Sequence, residues 1–304
     1  MSTVMSTLVM PEAHEDWSDD QAWADNTEQT QTRVTRDWRR RGTALMAWAA
    51  RPCRQVLALG LFFLAWHLLT AYEVTLYARF SNVPGPLAVL AEIQKLVTMP
   101  VFYTHILTSL ERIYLGFSIA AGLGIVCGLL IGWYRPVADM LYPILELLRP
   151  IPAVAWVPLA IMLWPTERSS IVYITGLGAF FPIVLNTIHG VEGIDKMLVR
   201  AATSLGATRW AIFRDVVLPG AMPSIVTGLS VGMGVSWICL ISAEMVAGQY
   251  GIGYYTWVAY GIVKYPSVVV GMLTIGVLGM ASSALVYAVG HKLMPWRPRT
   301  MKGE

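Results

Sequence analysis

Apolar residues gather into six long runs along the chain, at 55–72, 105–133, 137–164, 169–191, 223–247 and 266–290. Each approaches or exceeds the roughly 20 residues that a helix needs to cross a bilayer. Between the fourth and fifth runs the pattern changes. From Val199 to Pro219, VRAATSLGATRWAIFRDVVLP, apolar Ala201, Ala202, Leu205, Ile212, Phe213 and Val216 fall near helical spacing, while Arg200, Arg209, Arg214 and Asp215 supply a polar face. Gly206 interrupts the period, and Leu218-Pro219 reads as a stop. The pattern predicts a helix, a glycine break and a second helix, exposed between two spans as a handle for a partner.

The runs differ internally. In the second, Gly116, Ala120, Gly124, Gly128 and Gly132 recur every four residues and form a stripe almost free of side chains; Gly228, Gly232 and Ser236 repeat the device in the fifth. Such stripes admit a neighbouring helix at close range, because association in lipid depends on packing. They predict a bundle with these spans central, packed within one subunit.

Pro143, Pro150, Pro152 and Pro158 break the third run, each removing a backbone donor. Irregular backbone at membrane depth belongs where protein covers it or where it lines a watery cavity. Arg149 lies near the middle of that run, where a charge costs about 2.5–3.5 kcal/mol and needs compensation. Glu146, one turn earlier, is the nearest partner; a solvated cavity with an anion contact is the alternative. Pathway candidates are therefore Glu146, Arg149, Pro150, Pro152 and Trp156 in the third run, Asn186 in the fourth and Glu244 closing the fifth. By depth, Arg112 of the second run could also pair with Glu244. His189, beside Asn186, reads as a packing residue.

Composition agrees with a membrane protein: of 304 residues, 56% are hydrophobic and only 13% charged, against about a quarter charged in soluble domains. Cys53, Cys127 and Cys239 are too far apart to suggest a disulfide framework or a metal site. A net charge of +3 gives no argument for nucleic-acid binding.

The distribution of charge says more. Seven arginines, Arg33, Arg36, Arg39, Arg40, Arg41, Arg51 and Arg54, precede the first run, and the next connection carries only Arg79 and Lys95. By the positive-inside rule the N-terminus is cytoplasmic. Alternation then puts Arg135, the 196–214 cluster and the C-terminal tail on the same side, leaving Arg168 and Lys264 outside. Residues 1–32, rich in Asp, Glu, Ser and Thr, predict a disordered extension, and Arg36 to Trp48 an amphipathic surface segment. The expected organisation is a cytoplasmic extension over 1–54, a six-span membrane domain over 55–292 with its loop at about 192–222, and a tail over 293–304. After the fifth run, AGQYGIGYYTWVAYGIVKYP predicts glycine turns and a short external helix.

Five motifs carry a family resemblance: SLERIYLGF (109–117), LRPIPAVAWVPL (148–159), GAFFPIVLNT (178–187), the 199–219 loop, and AEMVAG with GIGYY (243–255). From Pro84 to Pro295 the chain resembles permeases of the nitrate, sulfonate, taurine and bicarbonate branch of ATP-binding-cassette (ABC) importers, and the loop resembles their EAA motif. The resemblance implies an all-α membrane protein with the six-helix, MetI-like bundle of type I importers in a bacterial inner membrane. It implies a homodimer, two cytoplasmic ATPases that bind ATP and Mg, and an extracytoplasmic binding protein. It assigns ATPase coupling to Arg200, Ala201, Ala202, Leu205, Gly206, Ala207, Leu218 and Pro219. Arg200 stands where the motif has its Glu. The chain has no GxxxxGK[ST] phosphate loop, so it binds no ATP by that motif and reads as a translocating subunit rather than an enzyme. An ion-coupled secondary transporter is the alternative, for which inverted repeats and midplane carboxylates are expected; only Glu146 fits by depth.

Overall fold

Helices and short turns make up the described residues, 54–72 and 83–296, of the computed structural model. The chain divides into two units, Met1–Leu69 and Thr70–Glu304. Helix α1 (Arg54–Ala71), apolar enough to cross a membrane, carries the described part of the first. The second holds α2 (Pro86–Val97), α3 (Pro100–Trp133), α4 (Arg135–Leu148), a 3₁₀ turn (Ala153–Trp156), α5 (Val157–Leu163) and α6 (Glu167–Glu192). It continues with α7 (Lys196–Ser204), α8 (Arg209–Ile212), a π-helical turn (Phe213–Val217), α9 (Leu218–Ala247), α10 (Ile252–Gly261) and α11 (Tyr265–Lys292). The extension before residue 54, the Arg36–Trp48 segment, Cys53 and the end of the tail lie outside the described residues.

Among the described residues, five helical rods meet the length and hydropathy of a span, and α4 with α5 makes a sixth when the bent pair is counted as one. That third span is not the kinked rod expected from 137–164. Its two arms meet at 87°. Pro150 and Pro152 withhold two N–H donors, so only the short-range bonds Ile151 N to Leu148 O (3.1 Å) and Ala155 N to Pro152 O (2.8 Å) bridge the break.

A second correction concerns Leu218-Pro219, which stops nothing. The helix runs unbroken from Arg209 to Ala247, through the π turn. Pro219 sits in the first turn of α9, where a missing N–H is tolerated, and the wider π turn before it absorbs the change in hydrogen-bond register. Helix α2 was read as plain connection; its apolar residues Val89 and Leu96 are buried.

Helix α6 forms the centre, with α3 on one side and α9 on the other. The glycine stripes explain the approach. A Cβ at Gly116 would lie 2.7 Å from the carbonyl oxygen of Val172, and one at Gly128 2.8 Å from that of Val184. On the α9 side a Cβ at Gly228 would lie 2.7 Å from that of Asn186, and Ser236 Oγ donates to Thr175 O at 3.2 Å. Both stripes pack within the chain, as expected. Cys239 is buried, with its sulfur directly over Gly178.

Candidate functional site

At the end of the bundle where α6 gives way to α7, the 199–219 region folds as two short helices around Gly206. Asp195 caps α7, its carboxylate accepting from Met197 N at 2.8 Å. The helix ends in a Schellman turn: Gly206 N donates to Thr203 O at 3.0 Å and Ala207 N to Ala202 O at 3.1 Å. Gly206 takes φ +81°, a left-handed conformation that a Cβ disfavours. Thr208 caps α8 by accepting from Ala211 N at 3.3 Å.

Two alanines of this loop are on its inward side. Ala202 and Ala207 pack against the cluster of Val191, Ile212, Val217, Ala221 and Ile225, and Leu218 and Pro219 are half-buried nearby. Arg200, Ala201, Leu205 and Gly206 point outward. Leu205 is 88% exposed, and Met197, Leu198 and Trp210 are exposed beside it. Together they make an exposed apolar patch, with Arg200 and Arg209 also exposed on the same two short helices.

The opposite end carries a buried polar cluster. Arg112 of α3 reaches Glu244 Oε1 at 3.2 Å, Glu167 Oε1 at 2.6 Å and Tyr250 O at 2.7 Å. The Arg112–Glu244 pair foreseen by depth is thus part of a larger network. Ser109 Oγ lies 2.8 and 2.9 Å from the two oxygens of Glu244, which is fully buried. Three successive amides opening α10 descend onto it: Gly251 N on His105 Nδ1 (3.1 Å), Ile252 N on Ser109 Oγ (2.9 Å) and Gly253 N on Glu244 Oε2 (3.0 Å). Gln249 N adds a bond to Glu167 Oε1 at 3.0 Å. These satisfy amides that a helix start leaves open, and Glu244 places negative charge at the positive end of α10. Glu111 and Arg168 form a separate exposed pair.

Ser109, His105 and Glu167 were not nominated from the sequence. His105, Ser109 and Arg112 are spaced four and three apart, one face of a helix, and that spacing is the signal that could have found them. Glu167 carries no such mark, because only the fold brings the start of α6 beside α3.

Further along α10, burial pushes the Tyr255 phenol above its usual range; a hydrogen bond to Ser267 opposes this and the Glu92 charge adds to it. The helix ends in a second Schellman turn, Val263 N to Tyr260 O (3.0 Å) and Lys264 N to Ala259 O (2.9 Å), with Val263 at φ +60° where α7 has glycine. Left-handed backbone costs a residue with a Cβ roughly 1–2 kcal/mol. Val263→Gly should gain about 1 kcal/mol after the added freedom of the unfolded chain is subtracted, raising the melting point by about 2–4 °C. A thermal-shift measurement in detergent checks the sign.

The remaining pathway candidates do not converge. Glu146 and Arg149 are both exposed and form no ion pair, which corrects the local pairing. Arg149 caps the end of α4 at the bend, and neither group is enclosed by this chain, so no burial here forces them together. Trp156 is half-buried in the 3₁₀ turn, its indole nitrogen buried without a partner among the described residues. Asn186 donates to Pro182 O at 2.8 Å within α6. His189 is exposed, not packed. A cavity of about 600 Å³ opens between α3 and α6, walled by Leu115, Ile119, Phe180, Tyr173, Trp164 and Arg168. None of the nominated pathway residues lines it.

Residues 120–295 match the family described as binding-protein-dependent transport system inner membrane component. The chain belongs to this family. A Methanocaldococcus jannaschii protein named as an ABC transporter permease is 40% identical over 190 residues, covering 62% of this chain and 71% of that one. The nitrate import permease of Synechocystis is 30% identical, over 84% and 94% of the two chains. The taurine transport permease of Escherichia coli is 34% identical, over 64% and 70%. Among solved structures, the crystal structure of an amino acid ABC transporter with histidines superposes with a TM-score of 0.52 at 15% identity, covering 67% of this chain and 96% of that one. It supports the fold alone. As an inner membrane component of a binding-protein-dependent system, the chain is an ABC permease, and the ion-coupled alternative falls away.

Proposed function

We propose that this permease works as a homodimer in a bacterial inner membrane with both termini cytoplasmic. Two copies of a separate ABC ATPase, which hold ATP and Mg, dock on the α7–Gly206–α8 surface, and an extracytoplasmic binding protein delivers the solute. ATP-driven closure of the ATPases moves the two docked loops and alternates access across the bundle. The observation that carries this reading is the exposed apolar patch around Leu205, held in a fixed shape by the turn at Gly206. The cargo is a small oxyanion, sulfonate or bicarbonate-like anion; nitrate and taurine permeases among the relatives support that class.

The test is reconstitution of permease, ATPase and binding protein in liposomes with a panel of labelled anions. ATP-dependent accumulation of one of them is expected; accumulation driven by an ion gradient without ATP would overturn the reading. In the same assay Arg149→Gln should cut uptake about tenfold or more, the loss of one charge-assisted contact to an anion. Adding Glu146→Gln should not restore it, because the two side chains do not pair. Restoration would remove Arg149 from the pathway.

A further inference from the structure

The two ends of the bundle are joined by one element. From Arg209 to Ala247 the chain forms a helical rod of 39 residues, about 58 Å long at 1.5 Å per residue. Its first turns carry Trp210 of the docking patch, and its last turn carries Glu244. Beyond Glu244 the backbone turns back through Gly248, Gly251 and Gly253 and lies directly on that side chain. A Cβ at Gly253 would sit 3.0 Å from Glu244 Cβ and 2.7 Å from Ile241 O, and one at Gly251 would overlap the carboxylate itself. The rod thus grips the start of α10 through a carboxylate that Ser109 and Arg112 hold from α3. The grip on Glu244 uses Gly253 N, and its neighbours in the cluster take Gly251 N and Ile252 N.

Gripping a helix by a buried carboxylate is a costly way to fill space. An apolar residue of similar size is often as stabilising as a buried ion pair. What the carboxylate adds is direction: its oxygens accept from α10, α3 and the Arg112 guanidinium at once, so α10 has one seat on α9. Trp257, Tyr260, Ile262 and Val263, further along the chain from this seat, remain exposed.

We propose that Glu244 is a positioning residue that locks α10 to the α8–α9 rod, so that a load on α10 is carried as a rigid-body movement to the ATPase-docking loop. This rests on the function proposed above and adds to it that the binding protein meets the α10 end of the bundle. Ser109 and Arg112 hold the carboxylate in register. Glu244→Gln preserves the side chain's shape but removes the charge that Arg112 and the start of α10 share. Ser109→Ala removes the acceptor for Ile252 N.

The experiment uses the complete complex in lipid nanodiscs. Hydrolysis is measured with and without binding protein, and spin labels at Tyr260 and Val246 report the separation of α10 from the end of α9. In the unaltered complex that separation should stay constant through the ATP cycle. Glu244→Gln should broaden it and lower the ratio of stimulated to basal hydrolysis about fivefold or more, a loss on the scale of one charged hydrogen bond. Ser109→Ala should do the same to a smaller extent. A ratio unchanged in Glu244→Gln, or a separation that shifts during the cycle of the unaltered complex, would overturn the proposal. Absence of any stimulation in the unaltered complex would overturn the functional reading along with it.

Discussion

Gly206→Val is expected to abolish ATP-driven uptake while leaving the permease inserted in the membrane. The cause is backbone conformation alone, since nothing lies within 4 Å of where a Cβ at this position would stand. At φ +81° a residue with a Cβ pays roughly 1–2 kcal/mol, and a β-branched side chain pays more. That sum matters here because α7 has no buried residue to hold it in place. A weakly anchored segment opens at low free energy, so the valine turns the Schellman geometry from the favoured state into a minor one. Leu205 and the Met197–Leu198 face then no longer meet a partner in a fixed orientation. Gly206→Asn is the control, because asparagine tolerates left-handed backbone, and it should retain much of the uptake. Reconstituted uptake and ATP hydrolysis, measured side by side, decide the matter. Normal transport by the valine variant would remove the coupling role from this turn.

Gly251→Ala should sharply reduce the amount or the stability of the folded protein. Gly251 is buried with φ +118° and ψ +163°, a region open essentially to glycine alone. A Cβ there would fall on the carboxylate of Glu244, which its bonds to Ser109, Arg112 and Gly253 keep from moving aside. Backbone strain of about 1–3 kcal/mol therefore adds to a clash that can be relieved only by breaking the buried cluster. The expected result is a yield of monodisperse protein about tenfold lower, or a melting point lower by about 5 °C or more. Gly251→Ala with Glu244→Ala relieves the overlap but not the backbone strain, and it takes from Arg112, Ser109 and Gly253 N their shared acceptor, so little recovery is expected. Size-exclusion profiles and thermal melts of the single and double variants test this, and a single variant that behaves as the unaltered protein would show that the loop has another seat.

Much of the bundle was legible in the sequence because membrane spans are a local property. Length and apolar content alone decide whether a helix suits lipid, and the small-residue stripes declare close approach whatever the partner turns out to be. The turn at Gly206 was readable for the same reason: a glycine between two amphipathic stretches needs only its own backbone to act. The 87° bend was half-legible. Pro150 and Pro152 announce a break, but its angle depends on how the 3₁₀ turn and α5 pack on α6 and α9.

Hydrogen-bonding partners were the harder part. Glu146 and Arg149 are neighbours on a helix, and that proximity makes a local pair one of the two readings the sequence allows; in the structure both are exposed, and proximity along the chain did not become a bond. Arg112, by contrast, finds Glu167 and Glu244 at separations of 55 and 132 residues.

By itself, then, the sequence determined where the apolar spans lie, the stripe along which α3 meets its neighbour, and the helix–glycine–helix form of the 199–219 loop. Each follows from periodicity or from the φ freedom of one residue. Only the tertiary structure decided that α8 and α9 are one rod, that α10 is seated on Glu244, and that Arg112 is shared between two carboxylates. Those outcomes depend on which buried polar group finds a partner once the helices have packed, and a buried donor donates to whichever acceptor the packing brings within about 3 Å.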